Sequence, residues 1–429
     1  MPEIDARDEL SVSAGLRFGA LGFPLAFVAL PLYVSLPAYY SREFGMPLAT
    51  LGALLLIVRL LDAFTDPWIG RLSDRWLSRP DQQPMPLMLA AAALLAGGFA
   101  AVFHPPVHGP DALLAWCAAS LVLSYLAYSL LSVMHQAWGA RLGGSALLQT
   151  RLVAWREGLG LAGVLCASVL ASSAGMTVTT LALCGALLLA LLLLHQAPRA
   201  AVLATSAPPP PVLPWAEPAF VRLLAVFLVN GIAAAVPATL LLFFVRDRLQ
   251  SPQAEALYLL SYFAAAALSL PAWLRLVKAW GQARAWLAGM LLAVLCFAGA
   301  VLLGKGDVFG FVLVCVGSGA AVGADLAIPG AMLARVVQQA GLGGRAEGAF
   351  FGWWNFAGKL NLALAAGLSL PLLQWLGYRP GQQDPAGLQA LTLAYCVLPC
   401  ALKLCAAALL YRLWIRPGKA IALTLTEAP

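Results

Sequence analysis

Arg59-Leu-Leu-Asp62-Ala-Phe-Thr-Asp66-Pro67 closes an otherwise apolar run that starts at Leu48. The run Leu48–Val58 leads straight into these charges, so the segment reads as a membrane span with ionisable groups in or near the hydrocarbon. A charge held mid-bilayer on a helix costs roughly 2.5–3.5 kcal/mol even on the lenient insertion scale. Three of them between positions 59 and 66 therefore require partners or a function. Residues i and i+4 share a helix face, which sets Asp62 beside Asp66, and Arg59 at i−3 from Asp62 is expected to join them. Two carboxylates converging in a low-dielectric cavity suit a monovalent cation or a shuttled proton, and so a cation-coupled transporter.

The composition agrees with a membrane setting. Of 429 residues, 62% are hydrophobic and only 10% charged, against roughly 25% charged in ordinary soluble domains. Windows long and apolar enough to cross a bilayer recur along the chain, from 14–40 and 46–72 through 110–142 and 150–172 to 347–376 and 386–416, about twelve in all. The net charge of +7 is a topology signal. Basic residues collect in alternate loops (Arg71, Arg75 and Arg79; Arg141 and Arg151; Arg275, Lys278 and Arg284; Arg412 and Arg416), which by the positive-inside rule makes both termini cytoplasmic and argues against nucleic acid as a partner. Met1–Ser13 is acidic and polar with no basic leader pattern, so the first helix is expected to remain in the mature protein. The eight cysteines all fall inside the expected spans, which argues against disulfides. No cofactor is expected. An enzyme would need a nucleophile, metal set or histidine cluster, and of the four histidines His104 and His108 are separated by Pro105-Pro106, which forbids an i,i+4 helical metal pair.

The clearest break along the chain holds the run Pro208–Pro211, an extended segment that cannot continue a helix. It divides the chain into an N-terminal bundle 1–197, a linker 198–217 and a C-terminal bundle 218–429. This layout resembles the major facilitator superfamily, which implies an all-α membrane protein with twelve transmembrane helices in two six-helix bundles and substrate bound between them. Gly70-Arg-Leu-Ser-Asp74-Arg75 resembles that superfamily's loop signature. The likeness implies a gating latch at Gly70, Asp74 and Arg75, whose charges pair in one state and separate in the other.

The charged motif on the second span is similar to the helix-two motif of the glycoside–pentoside–hexuronide:cation symporters. The likeness continues at Tyr128-Ser129, at Thr150–Arg156 and at Gly344–Lys359. The resemblance implies a cation site at Asp62, Asp66, Thr65 and Ser129, with sodium or a proton as coupling ion and Arg59 and Lys359 as charge partners. The bland reading is that the aspartates merely balance Arg59 and Lys359, although one carboxylate would balance one cation without the second. Snorkelling to the interface is the bland reading of Lys359.

The candidate substrate set is Arg156, Gln136, His135, Trp138, Asn355 and Asp325. Arg156 admits two readings, a substrate contact or a structural pair, and its neighbour Glu157 is expected to find a different partner because adjacent helix residues do not share a face. Asp325 is equally open; Gly323 and Pro329 beside it suggest an irregular helix bordering a cavity. His135 reads more readily as a hydrogen-bonded packing residue than as a proton relay. The galactoside-carrying members grip sugar hydroxyls with acidic residues where this chain has Pro24 and Ser132, have a tryptophan where it has Gln136, and place an acid where it has Arg335. The cation machinery is retained while the sugar grip is not. The reading is therefore a monomeric inner-membrane symporter of a small organic solute, sugar or glycoside by resemblance. An amphipathic, lysophospholipid-like solute is the alternative, and a non-transporting scaffold a remote one.

Overall fold

The computed structural model describes residues 10–77, 84–198, 212–379, 381 and 384–416. The linker run Pro208–Pro211 lies outside the described residues, as do Arg79 and both chain ends. Among the described residues there is no strand. The long helices are α1 (Val12–Tyr33), α2 (Leu48–Leu77), α3 (Pro84–Phe103), α4 (Pro110–Arg141), α5 (Ala146–Ser173) and α6 (Gly175–His195), then α7 (Pro218–Phe243), α8 (Glu255–Trp280), α9 (Gln282–Gly299), α10 (Val308–Gln339), α11 (Glu347–Trp375) and α12 (Pro385–Ile415).

Among the described residues, eleven spans are long and apolar enough to cross a membrane. The exception is α2, whose 30 residues include Arg59, Asp62, Asp66, Arg71, Asp74 and Arg75. At roughly 1.5 Å of rise per residue it is still longer than a bilayer core of about 30 Å. The stretch 48–65 holds only Arg59 and Asp62 among its charges, and the length of the helix supplies a twelfth candidate span. The broken helix expected near Asp325 is present: α10 is interrupted at Ile328, and the helix resumes at Pro329.

The chain folds into two compact units, Met1–Ala216 with Leu333–Phe356, and Glu217–Met332 with Ala357–Pro429. The end of α10 and the first turns of α11 thus pack with the N-terminal helices. The first unit buries Phe27, Phe99, Phe103, Leu121 and Tyr125 in one core. Its helix ends are pinned by Tyr39 and Tyr40, whose hydroxyls donate to the Phe103 and Val102 carbonyls at 2.8 and 2.6 Å. The second unit is centred on Phe244 stacked on Tyr395 at 4.1 Å and on Tyr258 set edge-on to Phe311.

Without a hydrophobic drive between helices in lipid, association favours small residues that let backbones approach. Gly22 on α1 shows this: a Cβ there would lie 2.2 Å from the Arg156 carbonyl oxygen on α5. Helix α5 itself starts where Gly143 and Gly144, both at positive φ, turn the chain after α4, and Ser145 accepts the Leu148 N–H as its cap. Gly22→Val is expected to destabilise the protein by about 1–3 kcal/mol through overpacking, read as a lower melting temperature of the purified protein, whereas exposed Gly185→Ala, whose Cβ meets nothing within 4 Å, should leave it unchanged.

Candidate functional site

The two carboxylates of α2 are inside the first unit: Asp62 is 3% exposed and Asp66 is fully buried. The Ser129 hydroxyl on α4, 1% exposed, donates to Asp62 Oδ1 at 2.8 Å. Thr65 Oγ1 donates to the Asp62 main-chain carbonyl at 2.9 Å, so its hydroxyl hydrogen serves its own helix and its oxygen keeps acceptor capacity. Tyr128, beside Ser129, stands within electrostatic reach of Asp62, Asp66, Arg156 and Glu157. The set offers oxygen ligands only, and no group of three metal-ligating His, Cys, Asp or Glu side chains occurs among the described residues. Hard oxygen donors with few fixed charges suit a hard monovalent ion or a proton better than a transition metal.

Two expectations about the charges are corrected. Arg59 does not bridge to Asp62. Its guanidinium carbon lies 4.4 Å from the centroid of the Tyr33 ring, and Nη2 is 3.4 Å from the Tyr33 carbonyl. The physical reason lies in α1's continuation: Pro37 has no N–H to return to the carbonyl four residues earlier, so the Tyr33 oxygen is open to another donor. Arg156 and Glu157, expected to have separate partners, pair with each other, with Arg156 Nη2 at 2.5 Å and Nε at 3.0 Å from Glu157 Oε1. Their Cβ atoms diverge on the helix, but both side chains are long enough to curl back.

The remaining candidates separate. His135 is fully buried, with Nε2 at 2.8 Å from the Phe18 carbonyl and its ring 4.6 Å from the Phe18 ring, the geometry of a packing residue. Gln136 Nε2 donates to Ser132 Oγ at 3.1 Å, one turn back on α4. Trp138 Nε1 donates to the Pro198 carbonyl at 3.0 Å and so ties the end of α4 to the end of the N-terminal half. Asn355 is half-buried on the α11 segment that packs with the first unit, and Lys359, one turn on, is a half-buried residue of the second unit. Asp325 also belongs to the second unit, where it meets Lys403, Asn230 and Trp286. Sequence reasoning missed Lys403, though a single lysine inside the apolar run of α12 is a signal by itself.

Of the expected latch residues, Asp74 makes an ion pair, with a different arginine from the expected Arg75. Asp74 caps the start of α11: Oδ1 accepts the Gly348 N–H and Oδ2 the Ala349 N–H, each at 2.7 Å. A carboxylate at a helix N-terminus meets orphan donors and the positive end of the dipole. Arg141 then joins Asp74 (3.3 Å) to Glu347 (3.2 Å) and donates to the Leu77 carbonyl at 3.0 Å. Arg75 is exposed; the guanidinium that meets Asp74 is Arg141, which the sequence offered only as a topology charge. Backbone contact makes the arrangement close. A Cβ on Gly70 would lie 2.1 Å from the Gly348 oxygen, and a Cβ on Gly352 would lie 2.5 Å from the Asp66 oxygen. Gly348-Ala-Phe-Phe-Gly352 is a small-xxx-small stripe laid along α2. The turn that carries Asp66 and the capped end of α11 are therefore parts of one helix–helix contact.

Comparison with known proteins is consistent with this geometry. A family model described as "MFS/sugar transport protein" matches residues 15–416. The chain is 26% identical over 163 residues to the putative glycoside/cation symporter YagG of Escherichia coli K12, covering 38% of this chain and 35% of that one. It is likewise 26% identical over 156 residues to the inner membrane symporter YicJ of the same organism, covering 36% and 33%. These matches span about a third of the relatives' length. Among solved structures, a bacterial homologue of the iron transporter ferroportin in its outward-facing state superposes with a TM-score of 0.72 at 14% identity, over 94% of this chain and 99% of that one. The human organic anion transporter MFSD10 does so with 0.66 at 18% identity, over 95% and 100%. At such identities the likeness concerns the fold.

Arg141→Met leaves the buried Asp74 and Glu347 carboxylates without this cation and is expected to cost about 3–5 kcal/mol, read as a fall in melting temperature and in monodisperse yield. Neutralising the acids as well, in Arg141→Met/Asp74→Asn/Glu347→Gln, should recover part of the loss.

Proposed function

The chain belongs to the MFS/sugar transport protein family and is a multi-pass membrane transporter, and on that premise we propose that it is a cation-coupled symporter of a small organic solute, a sugar or glycoside by likeness to the glycoside/cation symporter it matches in part. The observation that carries this reading is the burial of two carboxylates four residues apart, Asp62 and Asp66, with the Ser129 hydroxyl on one of them. Two buried carboxylates repel, and a sodium ion or proton between them relieves that repulsion. Relief changes the energy of the α2 turn at Asp66, which lies against Gly352 of α11. The same two helices carry the Asp74 latch a little further on. Occupancy of the cation site can thus bias latch opening through a single helix contact, and alternating access of the family's two halves supplies the transport step. Coupling is reciprocal, so solute must raise cation affinity by the factor by which the cation raises solute affinity.

In this reading the protein is a monomer in the bilayer of a bacterial-type inner membrane, with both termini cytoplasmic by the distribution of Lys and Arg. A second solute class is favoured by one feature. The helix-one and helix-four positions that would grip sugar hydroxyls are Pro24, buried on α1, and Ser132, which already accepts from Gln136. An amphipathic, lipid-like solute needs no such carboxylates.

Uptake into reconstituted vesicles tests the reading, with a sugar panel and a lysolipid panel under an inward sodium or proton gradient. Gradient-driven uptake of one class is expected, and Asp66→Asn should reduce it by at least about a hundredfold, the loss of roughly 2.7 kcal/mol of coupling. Uptake that ignores both gradients and survives Asp66→Asn would make the protein a facilitator and the aspartates structural.

A further inference from the structure

The second unit contains a cavity of ≈ 180 Å³ that the cation site and latch do not use. Its walls come from α7, α8, α9, α10 and α12, and its aromatic lining includes Tyr258, Tyr262, Phe297, Phe311 and Tyr395. The space follows from the sequence of α7. Ala233, Ala234, Pro237 and Ala238 fall on one helical face at spacings of one, three and four, and offer little side-chain volume to fill it. The pocket is open on one side, where Ala234 and Ala238 are exposed, and its largely apolar, aromatic walls are of the kind that hold a small ring.

One charged residue lines this cavity, Lys403 of α12. It is 6% exposed and holds two acceptors: Asn230 Oδ1 at 2.7 Å and Asp325 Oδ2 at 2.5 Å. Asp325 is in turn filled on its other oxygen by Asn230 Nδ2 at 3.0 Å and Trp286 Nε1 at 2.8 Å. Four helices thus close a network around one ion pair. An ammonium has three donors, and this one has two protein acceptors. Its charge, however, is already balanced by Asp325. An anion brought into the cavity would meet a neutral pair and lose its hydration, whereas a neutral acceptor can take the third N–H without unbalancing the site.

We infer that this cavity in the C-terminal unit is a binding site for a small, uncharged, mainly aromatic or apolar molecule bearing one hydrogen-bond acceptor, which Lys403 orients. The site is separate from the cation site, and binding to it is read without any gradient or transport.

Three probes with one ring and different heads test the inference: 4-fluoroacetophenone, 4-fluoroethylbenzene and 4-fluorobenzoate. Their binding to the full chain in nanodiscs is followed by fluorine NMR, with empty nanodiscs subtracted. The ketone should bind about tenfold tighter than the hydrocarbon, a difference of roughly 1.4 kcal/mol, and the carboxylate should bind more weakly than the ketone. Ala238→Trp, which fills the cavity, should abolish specific binding. Lys403→Met alone leaves Asp325 buried beside an apolar chain and is a poor test because the unit could unfold. The neutral Lys403→Met/Asp325→Asn pair should bind ketone and hydrocarbon within about twofold of each other, roughly 0.4 kcal/mol. Ketone binding that survives Ala238→Trp, that is no tighter than hydrocarbon binding, or that is weaker than benzoate binding would overturn the inference.

Discussion

The contact between α2 and α11 in the first unit governs the rest of the arrangement. Two helices can lie this close only because Gly70, Gly348 and Gly352 offer no side chain at the crossing. Closeness lets the Asp74 carboxylate reach two main-chain N–H groups at the start of α11. It also brings Asp66 against the same helix through its main chain. The buried Asp66 carboxylate and a capped helix end therefore share one packed surface, and such surfaces have few alternative arrangements because interiors are close-packed. In the proposed function, that packed surface is what would let a small ion bias a large movement.

The two ion-pair systems differ in what they ask of the fold. Arg141 carries one positive charge between two carboxylates, Asp74 and Glu347, and relies on main-chain donors to complete the balance. Lys403 and Asp325 balance one another and fill their remaining capacity with Asn230 and Trp286. Buried pairs seldom add net stability compared with apolar residues of equal volume, and losing one member is costly. Their presence inside both units of a membrane protein fits roles in conformational choice and recognition better than a role in holding the fold together.

Much of the architecture was legible in the sequence because hydropathy and length dictate a membrane helix almost alone. The span boundaries at α4 and α11 fall within about two residues of the sequence reading. Helix α2 was legible for the opposite reason, since its charges are what an ordinary span excludes. The pairing of Asp62 with Ser129 was implied by family likeness alone. Side-chain reach was not legible. The periodicity that set Arg156 and Glu157 on different faces ignores how far both chains extend before their charges meet. Arg59 was drawn to a carbonyl opened by Pro37, a donor–acceptor accounting that spacing does not show. Arg141 looked like one more positive loop residue, and its role depends on α11 segments distant in sequence. Lys403 stood in plain view within an apolar run, and its partners came from two other helices.

The central claim is that occupancy of Asp62 and Asp66 is thermodynamically linked to solute binding. The most direct measurement is equilibrium affinity for the solute that uptake identifies, titrated with sodium at fixed pH and with pH at fixed sodium. The account predicts that affinity rises along one of these two axes, by a factor that the solute returns to the cation, and that Asp66→Asn flattens the response. An affinity that stays constant along both axes in the unaltered protein would contradict it.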